Sequence, residues 1–267
     1  MKVVLFCGGL GLRIREYSEG MPKPMITIGH RPILWHIMKY YAHHGHKDFI
    51  LCLGYKADRI KEYFLNYNEC LSNDFVLAQG GKQLRLLNSD IQDWRITFVD
   101  TGMSATIGQR LKAVQSYLDG EEAFMANYAD GLTDLPLTAY LDHFQASGRI
   151  AAFLAVQPKL SFHLVMTADD IATDIRPMAH ANIWINGGYF ILRREIFRYL
   201  GDGDELVEQP FQRLIATRQL LAYKYRGFWG CLDTFKEKQQ LDELYLLDQA
   251  PWEVWKVRGR NPSTVHA

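Results

Sequence analysis

The sequence predicts an α/β fold, a mostly parallel sheet flanked by helices. Three observations predict it. In the first half of the 267-residue chain, short apolar runs alternate with segments of helical period. The first run ends in a glycine-rich turn, and a parallel sheet binds its ligand beyond the carboxyl ends of its strands. The length suits one large domain with a small appendage.

In chain order, residues 2–7 (KVVLFC) form an apolar run suited to a buried strand. Residues 32–44 (PILWHIMKYYAHH) read as a helix, with Pro32 in its first turn and Gly45 just past its end. A strand over 48–53 and a helix over 57–67 follow. Strands over 95–99 and 123–128 enclose a helix over 108–118, and a helix over 138–147 leads into a strand over 150–157. Beyond Gln157 the alternation loosens. Residues 162–167 and 170–175 suggest a hairpin, 188–193 a strand, and 206–217 and 234–247 helices. The organisation expected is a single domain over 1–267, with halves of about 1–157 and 158–255 and a polar, frayed tail over 256–267.

Thirty basic and thirty acidic side chains cancel, so no global field draws the chain to nucleic acid or to an anionic membrane. The apolar runs are too short to span a bilayer and no cleavable leader pattern is present, so a cytoplasmic location is expected. Cys7, Cys52, Cys70 and Cys231 lack C-x-x-C spacing and read as reduced thiols. His43, His44 and His46 fall at a helix end with no partner at ligand spacing, which favours helix termination over a metal site.

The first strand runs into Gly8-Gly9-Leu10-Gly11-Leu12-Arg13. Glycines let backbone N–H groups approach phosphates, and Arg13 adds a planar cationic fork. The third glycine of a dinucleotide fingerprint is absent, since Ile14 stands there. The second strand ends in Leu53-Gly54 rather than in an acidic residue, which sets an NAD-dependent oxidoreductase aside. Downstream, Pro22-Lys23-Pro24-Met25 stiffens the backbone around one lysine. Arg13 and Lys23 on one loop would clamp a polyphosphate. Asp130, after the strand over 123–128 and before Gly131, points toward the same crevice. Asp233 reads by itself as a helix N-cap in preference to a metal ligand. Asp134 reads as a loop or cap residue.

Taken together these stretches resemble the sugar nucleotidyltransferase family. The resemblance runs from about residue 2 to 255 and includes Val99–Gly102 (VDTG), Gln109–Lys112 (QRLK), Tyr128–Gly131, Trp184–Gly188 (WINGG), Gly227–Thr234 and Ala250–Trp255 (APWEVW). It points to the branch that uses CTP and glucose 1-phosphate. It implies a Rossmann-like, GT-A-like sheet with a small β-rich region for the sugar, Mg²⁺ as cofactor, and a homo-oligomer. It also implies roles. Gly8, Gly9, Gly11 and Arg13 would hold base and phosphates, and Lys23, helped by Arg110, would neutralise the triphosphate. Asp130 and Asp233 would hold Mg²⁺. Asn186 and Gly187 would face the sugar, and Glu208 would reach a sugar hydroxyl. Arg13, Lys23 and Asp130 would carry the catalysis. Two departures stand out. Leu12 replaces the hydroxyl residue usual in the loop, and Ile175-Arg176-Pro177 stands where the family has Glu-Lys-Pro. Arg176 can still meet a phosphate, but Ile175 cannot accept a hydrogen bond from a sugar, which leaves another acceptor open. A non-catalytic nucleotide-sugar-binding regulator is the alternative from a different class.

Overall fold

The computed structural model describes residues 1–9, 20–158, 163–178 and 182–256. Strand β1 (Val3–Phe6) is buried along its whole length. A short hairpin, β2 (Thr27–Ile28) and β3 (Arg31–Pro32), leads into helix α1 (Ile33–His43). Pro32 stands at the N-cap, and Gly45 takes φ +86° where the chain leaves the helix. Nine of the eleven α1 residues are buried, which is why its sequence is apolar on almost every face. Next come β4 (Asp48–Leu53), α2 (Ala57–Leu65), a hairpin of β5 (Phe75–Ala78) and β6 (Gln83–Leu86), and β7 (Arg95–Asp100). The helix expected over 108–118 is two pieces, α3 (Ile107–Ala113) and a 3-10 turn over Gln115–Leu118. Strands β8 (Ala123–Asn127) and β9 (Gly131–Thr133), helix α4 (Leu137–Ser147) and β10 (Ala151–Val156) complete the first half.

The hairpin is β11 (His163–Ala168) with β12 (Ile171–Pro177). Strand β13 (Ile185–Arg193), helix α5 (Gln209–Ala216), strands β14 (Leu220–Tyr225) and β15 (Trp229–Cys231), and helix α6 (Phe235–Leu246) follow. The central sheet has seven strands in the order β14-β10-β13-β8-β1-β4-β7. β8, β1, β4 and β7 are parallel neighbours, as are β10 and β14. β13 runs antiparallel between β8 and β10, with Val156 opposite Ile185. Among the described residues, no crossover helix lies between β10 and β13. The chain leaves β10 at its carboxyl end, forms the β11–β12 hairpin there, and re-enters the sheet from that end, so it must run backward.

Two clusters cover the two faces. One packs α1 and the C-terminal Trp252 on Val3, Leu5, Leu51 and Leu154. The other sets Leu111, Leu206 and Phe211 against Val4, Phe6 and Phe190. Among the described residues, no helix is long and apolar enough to cross a membrane.

Candidate active site

Two carboxylates distant in sequence meet beyond the carboxyl ends of β1 and β8. After β8, the buried Asn127 accepts the Ala129 N–H at Oδ1, 2.7 Å away, and holds Ala129 at φ +60°. This left-handed step carries the chain out of the sheet and presents Asp130. β9 then pairs antiparallel with β15, Cys231 opposite Gly131, and Leu232 N–H donates to Asp130 O at 2.9 Å. The pairing brings Asp233 alongside Asp130. Asp233 is not the N-cap that its isolated reading favours. Thr234 caps α6, in a reciprocal box with Glu237, which leaves the Asp233 carboxylate outside the capping scheme.

Lys23 opens a 3-10 turn, Lys23–Met25, directly after Pro22. Its ammonium donates to Asp130 Oδ2 at 2.7 Å and to Asp233 Oδ1 at 2.5 Å. Burial alone would lower its pKa, but the Asp130 charge and the hydrogen bonds to both carboxylates outweigh burial and raise it. The lysine therefore stays charged throughout the physiological range.

The same carboxylates suit a hard divalent cation. Their donors are oxygens, and they already converge on one positive charge. Among the described residues, no group of three or more His, Cys, Asp or Glu forms a closed metal site. A cation here would complete its shell with substrate phosphates and water, as Mg²⁺ prefers.

Arg110, expected to help neutralise a triphosphate, has a different placement. It is 3% exposed and lies beneath the glycine turn. Its guanidinium donates to the carbonyls of Gly8, Leu53, Gly102 and Met103 and to the Thr101 hydroxyl. It braces the turn from below and ties β1 to the ends of β4 and β7. A Cβ at Gly8 would lie 2.0 Å from this guanidinium, so glycine is required there for space.

A cleft of about 1040 Å³ opens above these groups, lined by Gly9, Lys23, Asp130, Asn186, Gly187 and Asp233 among others. Asn186 and Gly187 thus line the same cleft as the carboxylates. Asn186 Oδ1 accepts the Gly188 N–H at 2.9 Å, and its amide donates to the Tyr128 hydroxyl at 3.2 Å. Arg176 is exposed on β12, paired with Asp174 at 3.3 Å, and does not line the cleft; Ile175 beside it is 66% exposed. Glu208 precedes α5 without capping it by its side chain and also lies outside the lining. Asp134 is a loop brace, accepting from the Tyr225 hydroxyl at 2.6 Å and from Phe228 N–H at 2.7 Å. Gly11, Leu12 and Arg13 lie outside the described residues, as does the tail from 257 onward.

Sequence reasoning missed Tyr128, Phe228 and Trp229, which supply aromatic walls. All three sit inside the matched stretches Tyr128–Gly131 and Gly227–Thr234. That position within the stretches was a usable signal.

Comparison with known proteins gives concordant results. The model of the nucleotidyl transferase family matches residues 2–210. A glucose-1-phosphate cytidylyltransferase of Salmonella typhimurium is 38% identical over 258 residues, covering 96% of this chain and all of that protein. A crystal structure of UDP-glucose pyrophosphorylase complexed with UDP-glucose aligns with a TM-score of 0.67 at 16% identity, over 92% of this chain and 98% of that one. HddC from Yersinia pseudotuberculosis gives 0.66 at 19% identity, over 91% and 99%. At such identities the two structures establish the fold alone.

Proposed function

Because the chain belongs to the nucleotidyl transferase family, we propose that it transfers the cytidylyl group of CTP to glucose 1-phosphate, releasing pyrophosphate. The observation that carries this reading is the convergence of Lys23, Asp130 and Asp233 in a nucleotide-sized cleft. The substrate identities rest on the relative that is 38% identical across nearly the whole chain.

The reaction asks for charge neutralisation and alignment. A phosphate oxygen of the acceptor attacks the α-phosphorus in line, the α–β bridging bond breaks, and its electrons leave with pyrophosphate. The attacking oxygen is already anionic, so no side chain has to remove a proton. Lys23 keeps its proton on Nζ and offsets the charge gathering on the phosphates. Asp130 and Asp233 would hold Mg²⁺, which when bound supplies further positive charge beside the polyphosphate. Gly9 brings backbone close to the triphosphate, and Arg110 holds that turn in place. The aromatic walls and Asn186 align the acceptor, which is the larger part of what such a reaction needs.

The test is pyrophosphate release from purified protein, Mg²⁺, a panel of nucleoside triphosphates and a panel of sugar 1-phosphates. CTP with glucose 1-phosphate should give the fastest release. Faster release with another sugar phosphate would overturn the acceptor and keep the reaction. Silence across both panels by folded protein would overturn the reaction itself. An Asp130→Asn variant should lose turnover by about a hundredfold or more.

A further inference from the structure

Strands β9 and β15 pair with each other and not with the central sheet, so beyond the β8–β13 ladder and the Tyr128 N–H bond to Gly188 O at 3.2 Å, no backbone bond among the described residues ties the β9–β15 pair to Asn186 and Gly187. Two side chains tie the β9–β15 pair itself to the central sheet beside that strand. Trp229 Nε1 donates to Gly187 O at 2.9 Å from the cleft side. Tyr189 donates its hydroxyl to Gly131 O at 2.7 Å from within the core, where it is 2% exposed. The indole also fills the space between the two glycines. A Cβ on Gly187 would lie 3.2 Å from Trp229 Nε1, and one on Gly131 3.4 Å. Gly131 directly follows Asp130, and Gly187 directly follows Asn186.

We infer that Trp229 is a positioning residue, which sets the spacing between the carboxylate pair and the strand that receives the acceptor sugar. The inference rests on the proposed reaction and adds a division of labour within it. Trp229 touches Gly187 and Gly131, the neighbours of Asn186 and Asp130, so it acts on the side of the cleft assigned to the sugar. Its loss should be felt by the acceptor and hardly by the triphosphate. The ring and the N–H contribute separately, the first by keeping the two backbones apart and the second by orienting the Gly187 peptide. Orientation of that peptide also sets Asn186, whose Oδ1 is bonded to the next N–H in the same turn.

The experiment compares Trp229→Phe with Tyr189→Phe. Trp229→Phe keeps most of the ring and removes the N–H. The acceptor KM should rise about five- to tenfold, the size of one lost neutral hydrogen bond, with the CTP KM unchanged within twofold. Calorimetry adds a readout independent of turnover. Trp229→Phe should weaken CDP-glucose binding by a similar factor and leave CTP binding as it is. Tyr189→Phe removes the buried hydroxyl on the far side and should lower Tm more than it changes either KM. Equal effects of Trp229→Phe on both substrates, or a fall in Tm with both KM values unchanged, would overturn the positioning role. Wild-type protein that binds CDP-glucose no better than CDP would overturn the proposed reaction and this inference together.

Discussion

Replacing Lys23 with methionine keeps the stem of the side chain and removes the charge that Asp130 and Asp233 share. Hydrogen bonds to charged groups contribute about 1.5–3 kcal/mol each. Two are lost, at 2.7 and 2.5 Å. Water reaches both carboxylates, whose side chains are 28% and 31% exposed, so the lower end applies and the total is about 3 kcal/mol. For a chain of this size each kcal/mol moves Tm by about 2–4 °C, which gives a fall of about 6–12 °C in buffer with chelator. The variant then holds two facing carboxylates without their shared ammonium. Added Mg²⁺ should therefore raise its Tm by several degrees more than it raises that of the wild type. Turnover should fall by about a hundred- to a thousandfold in the same variant, since the charge opposite the phosphates is gone. Scanning calorimetry with and without Mg²⁺ measures the first two effects, and pyrophosphate release the third. A Tm within 2 °C of wild type in chelator, or the same Mg²⁺ response in both proteins, would refute the shared-charge argument.

Two other perturbations follow from the geometry. His36 is 1% exposed; Trp252 Nε1 donates to its Nδ1 at 3.3 Å, and its Nε2 lies 3.1 Å from Ile28 O, so the ring is neutral with its proton on Nε2. Burial lowers its pKa to about 4. Below pH 6.5 the unfolded histidine takes up a proton that the folded one refuses, so stability falls as the pH drops, by about 2 kcal/mol between pH 7.5 and 5. Urea melts at the two pH values measure this, and His36→Gln should reduce the difference by that amount; an undiminished difference would rule out His36 as its source. Gly8→Ala would press a methyl onto the Arg110 guanidinium, which five acceptors hold in place. Overpacking of this kind costs about 1–3 kcal/mol, and the displaced turn should raise the CTP KM while leaving that of the acceptor; unchanged melting and kinetics would show that Arg110 is not fixed.

Much of the first half was legible because local chemistry and tertiary structure agree there. Pro32 and Gly45 bracket α1, and Asp48–Leu53 is a strand over the range its apolar pattern predicts. The direction of β13 was not legible, because an apolar run reads the same parallel or antiparallel and only the missing crossover decides. The β5–β6 hairpin escaped notice since its residues are largely exposed and carry no buried face. β14 did leave a trace in its LLAYKY pattern, overlooked behind the helix that precedes it. In the site, the convergence of Lys23 with the carboxylates depends on the β9–β15 pairing, which three-residue strands do not announce. The status of Asp233 was readable in part. Thr234 and Glu237 have the spacing of a capping box, and that box removes the need for an aspartate cap.

The backward strand also bears on how the molecule is made. During synthesis β1, β4, β7 and β8 emerge first and can pair with one another, but β8 and β10 share no ladder. Each must wait for Ile185–Arg193 to slide between them. Until that strand has emerged, the nascent chain carries an open strand edge on β8 and an unpaired apolar strand, β10. The interval before residues 185–193 emerge from the ribosome is therefore when a chaperone would have most to hold. A synonymous change that slows translation there should lower the yield of native protein without altering a single side chain.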